Sequence, residues 1–108
     1  MVMNEELITL NEVLNGGNKI FFYQSRDTGM WVAYGYSAYL LFRRENFKGI
    51  ASFSRQMQMP CVCVSEVDFK NMLVENKDAF DRREDYYFLS IDIEVDEIEY
   101  QKWVKTLK

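Results

Sequence analysis

Between Lys19 and Tyr39 the chain reads KIFFYQSRDTGMWVAYGYSAY, and this stretch restricts the possible folds more than any other. Two apolar, aromatic-rich runs, Ile20-Phe21-Phe22-Tyr23 and Met30-Trp31-Val32-Ala33-Tyr34, flank Arg26-Asp27-Thr28-Gly29. β-branched and aromatic side chains suit a pleated surface, and an Asp/Thr/Gly cluster between two such runs supplies turn chemistry. The pattern predicts a β-hairpin, with Gly29 in a backbone conformation that other residues resist. Both runs are apolar on both faces, which predicts a central position covered on each side.

At 108 residues the chain supports one domain, 1–108, large enough to bury a core of its own. Histidine is absent, which removes the commonest proton-transfer group near neutral pH and the commonest metal ligand. The net charge is −4. Residues 1–57 carry six basic and five acidic side chains, and residues 58–108 carry seven and twelve. That balance disfavours a phosphate backbone without removing a local basic face. Cys61 and Cys63 are one residue apart, so an intrachain disulfide is not expected and a reducing, cytoplasmic setting is. Asn4-Glu5-Glu6 breaks any signal-like apolar run, and no stretch approaches the roughly 20 apolar residues of a membrane helix.

Along the rest of the chain, Asn4 is placed to cap a first helix with Leu7, Leu10 and Leu14 on its buried stripe and Gly16-Gly17 at its end. Ser37 is placed to cap a short helix through Arg44, a reading preferred over a continuation of the second strand. Strands are predicted at Ile50–Ser54 and, opened by Pro60, at Cys61–Val64. Ser65-Glu66-Val67-Asp68 has capping-box form for a helix that buries Phe69, Met72 and Leu73. Lys77 to Asp85 reads as a charged loop. Tyr87, Leu89, Ile91, Ile93 and Val95 alternate with Phe88, Ser90, Asp92 and Glu94, the strongest strand pattern present. Asp96 then caps a helix carrying Tyr100, Trp103, Val104 and Leu107 on one face. The expected class is α+β: a mixed β-sheet of about five strands flanked by three to four helices, in the order αββαββαβα.

Several motifs invite chemistry. Asp27-Thr28-Gly29 matches the short aspartic-protease signature, but Arg26 beside the acid would hold it ionised, against the shared-proton chemistry of that dyad. A hairpin turn accounts for it. Cys61 and Cys63 project from one strand face, and with no His or further Cys they cannot assemble four soft ligands, so inert thiols are expected. Gly16-Gly17-Asn18-Lys19 lacks phosphate-loop spacing. Asp92, Glu94, Asp96, Glu97 and Glu99 suggest paired carboxylates or a divalent-ion site, yet outward strand positions followed by an acidic helix start explain them. Arg43, Arg44, Lys48 and Arg55, interleaved with Phe42, Phe47 and Phe53, form the one basic, aromatic concentration, a composition suited to nucleic acid.

From Leu7 to Val95 the chain resembles the mismatch-recognition domain of MutS-type mismatch-repair proteins. Lys19-Ile20-Phe21-Phe22 stands at that family's first apolar strand. Gly29 to Ala38, GMWVAYGYSA, is similar to its DFYELFGEDA segment. Met59-Pro60-Cys61-Val62-Cys63-Val64 is similar to its M/I-P-x-x-G-V-P segment, and Asp68-Phe69-Lys70-Asn71-Met72-Leu73 to the helix that follows. The resemblance implies a shared fold, repurposed. Where the family wedges a Phe-x-Glu motif against a mispaired base, this chain has Met30 and Val32. Met30 retains an apolar wedge, and Val32 cannot hydrogen-bond. The clamp, lever and ATPase domains have no counterpart in these residues, so a nucleotide-driven cycle is not expected of them.

These readings converge on a non-enzymatic interaction module that binds a protein partner or a second copy of itself, with no cofactor, metal or small-molecule substrate expected. An abundance of aromatic and Met side chains is typical of recognition surfaces. The alternative is a DNA-binding accessory protein using the Arg43/Arg44/Lys48/Arg55 face, with Met30 or Trp31 of the hairpin touching bases.

Overall fold

The computed structural model describes residues 5–44 and 47–108. Its elements are α1 (Glu5–Leu14), β1 (Lys19–Gln24), β2 (Trp31–Tyr34), α2 (Gly35–Phe42), β3 (Ile50–Ser54), β4 (Met59–Val64), α3 (Glu66–Glu75), β5 (Phe80–Arg82), β6 (Tyr87–Ser90) and α4 (Glu97–Leu107). The six strands form one sheet in the order β3-β4-β2-β1-β6-β5. The hairpin pair β1 and β2 therefore holds the centre, as its two-sided apolarity predicts. In its turn, Ser25 N donates to Met30 O and Gly29 N to Ser25 O, each at 2.8 Å, with Gly29 at φ +72°.

The expected α+β class holds, with one change to the sheet. Every pairing is antiparallel rather than mixed. Three pairs, β1–β2, β3–β4 and β5–β6, are consecutive strands joined by short loops, and such connections permit only antiparallel pairing.

One sheet face buries Ile20, Phe22, Ala33, Val62, Val64 and Leu89 against Phe69 of α3 and Ala38, Leu40 and Leu41 of α2. The other carries Phe21, Tyr23, Val32, Tyr34, Cys61 and Phe88, covered by Ile8 of α1. α4 adds a third cluster, Tyr100 and Val104 against Tyr39 of α2.

Local signals set several boundaries. The Ser65 side chain accepts from Asp68 N, and Asp96 accepts from Ile98 N and Glu99 N, so both predicted caps form. Four expectations are corrected. The segment Lys77 to Asp85, read as a loop, contains β5, a three-residue edge strand whose Asp81 and Arg82 suit an exposed sheet border. The alternation from Tyr87 to Val95 yields a strand only to Ser90. Its partner β1 begins at Lys19, the last rung runs from Ile91 N to Asn18 O at 3.0 Å, and Ile93 lies exposed beyond it. α2 begins at Gly35, so Ser37 is a fully buried residue inside the helix and not its cap. The stripe Leu7, Leu10 and Leu14 is not the buried face of α1, since Ile8 and Glu12 are. The proposed Asn4 cap lies outside the described residues.

Candidate functional site

β1 and β2 pair only at Tyr23↔Val32 and Gln24↔Trp31, while β1 continues along β6 as far as Lys19. Where β2 leaves the ladder, the inner edge of β1 needs other partners, because buried backbone groups must be satisfied. Side chains supply them. Phe21 N donates to Ser37 Oγ at 2.9 Å, and Asn15 Nδ2 donates to Lys19 O at 2.9 Å. Asn15 Nδ2 also reaches Ser37 Oγ at 3.4 Å, and its Oδ1 accepts from Gly17 N at 3.0 Å.

The Glu12 carboxylate completes this plug. Ser37 Oγ donates to Glu12 Oε2 at 2.6 Å, and Ser37 N donates to Oε1 at 3.2 Å. The N-cap residue of α2, Tyr34, makes no side-chain capping bond. A carboxylate borrowed from α1 thus meets the free amides and positive dipole end of α2. Burial raises the Glu12 carboxyl to about 7, against the opposing pull of its Ser37 and Asn15 hydrogen bonds. The fit is close: a Cβ on Gly35, which sits at φ +59°, would lie 3.0 Å from Glu12 Oε1.

This anchor sets the rotation of α1. Ile8, Glu12 and Asn15 face inward, and Asn11 Nδ2 donates to the Tyr23 hydroxyl at 3.0 Å. Helical spacing then turns Leu10, Val13 and Leu14 outward, at 54%, 75% and 73% exposed. The helix buries Glu12 beside Ile8 and turns an apolar stripe to solvent. Glu5 of its first turn is held by Gln56 Nε2 from the β3–β4 turn.

Searches against protein-family models, curated proteins and solved structures find no match to this chain. What it does must be argued from its own geometry.

The residues singled out in the sequence scatter. Trp31 packs with the core: its ring stacks on Phe69 at 4.0 Å between centroids and 14° between planes. Its Nε1 is buried without a partner among the described residues. Met30 is half-buried at the hairpin turn, and Val32 is buried on the α1 face. Arg43 Nη1 donates to the Tyr39 hydroxyl at 3.0 Å, and Arg44 Nη2 to Asn76 Oδ1 at 3.4 Å. Arg44 and Lys48 share a recess of about 340 Å³ with Asp68, Glu75, Asn71 and Phe47. Arg55 instead lines a different recess with Phe53 and Lys108. The four cations do not share one recess: Arg44 and Lys48 line one with Asp68 and Glu75, and Arg43 and Arg44 line another with Glu94 and Asp96, so each is charge-balanced.

The remaining polar groups have structural partners. Asp27 is exposed in the turn. The Tyr36 hydroxyl donates to Glu97 Oε2, which lowers the Glu97 carboxyl and raises the Tyr36 phenol. The neighbouring thiols shift each other in opposite directions, Cys61 being lowered to about 6 and Cys63 raised. Among the described residues no three of His, Cys, Asp and Glu converge as metal ligands, and no helix is long and apolar enough to cross a membrane.

Sequence reasoning missed the Glu12–Ser37–Asn15 plug. Its only trace is the spacing Ile8, Glu12, Asn15, one helical face lying between two leucine-bearing faces.

Proposed function

We propose that this chain is a non-enzymatic interaction module whose α1 stripe, Leu10, Val13 and Leu14, receives an apolar surface of a protein partner, a second copy of the chain first among them. One observation carries the reading: three large apolar side chains at helical spacing face water while Glu12 and Asn15 are buried beneath them. A single exposed leucine is ordinary. A contiguous stripe held outward by a buried polar anchor costs stability unless something covers it. Apolar anchors at i, i+3 and i+4 are the spacing by which helices dock into grooves and onto each other.

The resemblance to the MutS recognition domain belongs to the same proposal, and it adds a DNA-processing assembly as the setting where such a partner is met. The DNA-contact alternative draws less support, because Arg44 and Lys48 share their recess with Asp68 and Glu75 and Arg55 lies in another.

Light scattering at micromolar concentrations tests the reading. The unmodified chain is expected to rise above monomer mass with concentration, and Leu10→Glu with Leu14→Glu to return it to monomer without lowering its melting temperature. A monomer at every concentration, with host-extract cross-links that the double variant leaves unchanged, defeats it.

A further inference from the structure

β4 carries sulfur at every second position. Met57, Met59, Cys61 and Cys63 gather two of the chain's six methionines and both of its cysteines into seven residues. The register opposes Met59 to Ser54, Cys61 to Ser52 and Tyr34, and Cys63 to Ile50 and Val32. Side chains alternate along a strand, so Met59, Cys61 and Cys63 share the sheet face that α1 partly covers. Met57, in the turn before the strand, packs against the same cluster.

The two thiols are free and neighbour each other along one strand face, and Ser52 Oγ lies 3.2 Å from Cys61 Sγ. Cys61 is buried but Cys63 is half-exposed, beside exposed Ser52 and Ile50 of the edge strand β3. The pair therefore lies just under the surface, where an ion can reach it. A disulfide is disfavoured, because the side chains of strand residues at i and i+2 run parallel and keep their Cβ atoms roughly 6.5 Å apart, where a disulfide needs about 4 Å. Zinc is disfavoured too, since structural sites take four ligands and this chain offers two thiols and no histidine. Thiolate and thioether together are the donors that select copper in its monovalent state, which is satisfied by fewer ligands.

We propose that Cys61 and Cys63, with Met59 as a third sulfur donor, form a binding site for one Cu(I) ion. Loading exchanges the two thiol protons for one Cu(I), leaves a net charge of −1 on the pair, and changes no oxidation state. Tyr34, buried and paired with Cys61 across the sheet, closes the site from the β2 side. This site is independent of the α1 stripe.

An anaerobic competition with bathocuproine disulfonate tests it. The reduced chain is expected to withdraw one equivalent of Cu(I) from the chelator and to show an ultraviolet thiolate-to-copper band. Cys61→Ser or Cys63→Ser should weaken competition by about tenfold or more, Met59→Leu by less, and Met72→Leu not at all. Circular dichroism of each variant checks folding. If a cysteine variant fails to fold, X-ray absorption of the copper-loaded unmodified chain decides in its place, with a sulfur-only first shell expected. Failure to compete, a nitrogen- or oxygen-dominated shell, equal uptake of Zn(II), or undiminished uptake by a folded double-serine variant would each overturn the proposal.

Discussion

Glu12 of α1 and Ser37 of α2 are 25 residues apart in sequence, yet carboxylate and hydroxyl meet at 2.6 Å inside the fold. The contact joins two helices, satisfies the start of α2, and completes the side-chain plug at the fork between β1 and β2. It also decides which side of α1 a partner would see.

Stability should depend on the protonation of Glu12. Burial holds its folded carboxyl at about 7, above its ordinary value of 4.5. The folded state thus binds the proton more tightly than the unfolded state, and stability falls as pH rises from about 4.5 through 7. Ionising the buried acid costs roughly 3 kcal/mol, a drop in melting temperature on the order of 10 °C between pH 5 and pH 8. Glu12→Gln should flatten that slope and raise the melting temperature at pH 8. A flat profile for the unmodified chain contradicts the assignment.

Gly35 and Gly29 make a matched pair of substitutions. Both have positive φ, but a Cβ on Gly29 meets nothing within 4 Å while one on Gly35 meets Glu12 and Met59. Gly29→Ala should cost only the backbone strain, about 1 kcal/mol, and Gly35→Ala roughly 2–3 kcal/mol. Urea denaturation measures both, and equal losses would show that the Gly35–Glu12 approach is not tight.

The Trp31–Phe69 stack predicts unequal effects. Trp31→Phe keeps a stacked ring and removes a buried N–H that has no partner among the described residues, so it should lie within about 1 kcal/mol of neutral. Phe69→Ala opens the core and should cost roughly 3–5 kcal/mol. Indole emission from a Trp103→Phe background should be blue-shifted. Emission typical of water would return Trp31 to the list of partner contacts.

DNA binding is expected to be absent at moderate salt. With a net charge of −4 and its Arg44–Lys48 recess shared with Asp68 and Glu75, the chain should give no saturable anisotropy change with matched, mismatched or single-stranded DNA at about 150 mM salt. Saturable binding lost on Arg43→Glu with Arg44→Glu would restore the nucleic-acid reading.

Much of the architecture was legible because its signals are local. Gly29 makes its turn with neighbours four and five residues away or nearer, and Ser65 and Asp96 cap helices through amides two or three residues on. Strand ends were not legible, because Ser90 ends β6 only where β1 has no more backbone to offer. The candidate site was hardly legible at all. Arg44 and Arg55 look adjacent in the chain and line different recesses, while Glu12 and Ser37 look unrelated and touch.

Composition and pattern by themselves determined an aromatic hairpin at the centre of a helix-covered sheet, since apolar area must leave water and the turn residues allow few ways to do it. Only the tertiary structure decided the rotation of α1. Its leucine stripe and its Ile8–Glu12–Asn15 stripe compete for the interior, and the contest is settled by unsatisfied amides on β1 and α2, which demand polar partners more strongly than the sheet demands another leucine.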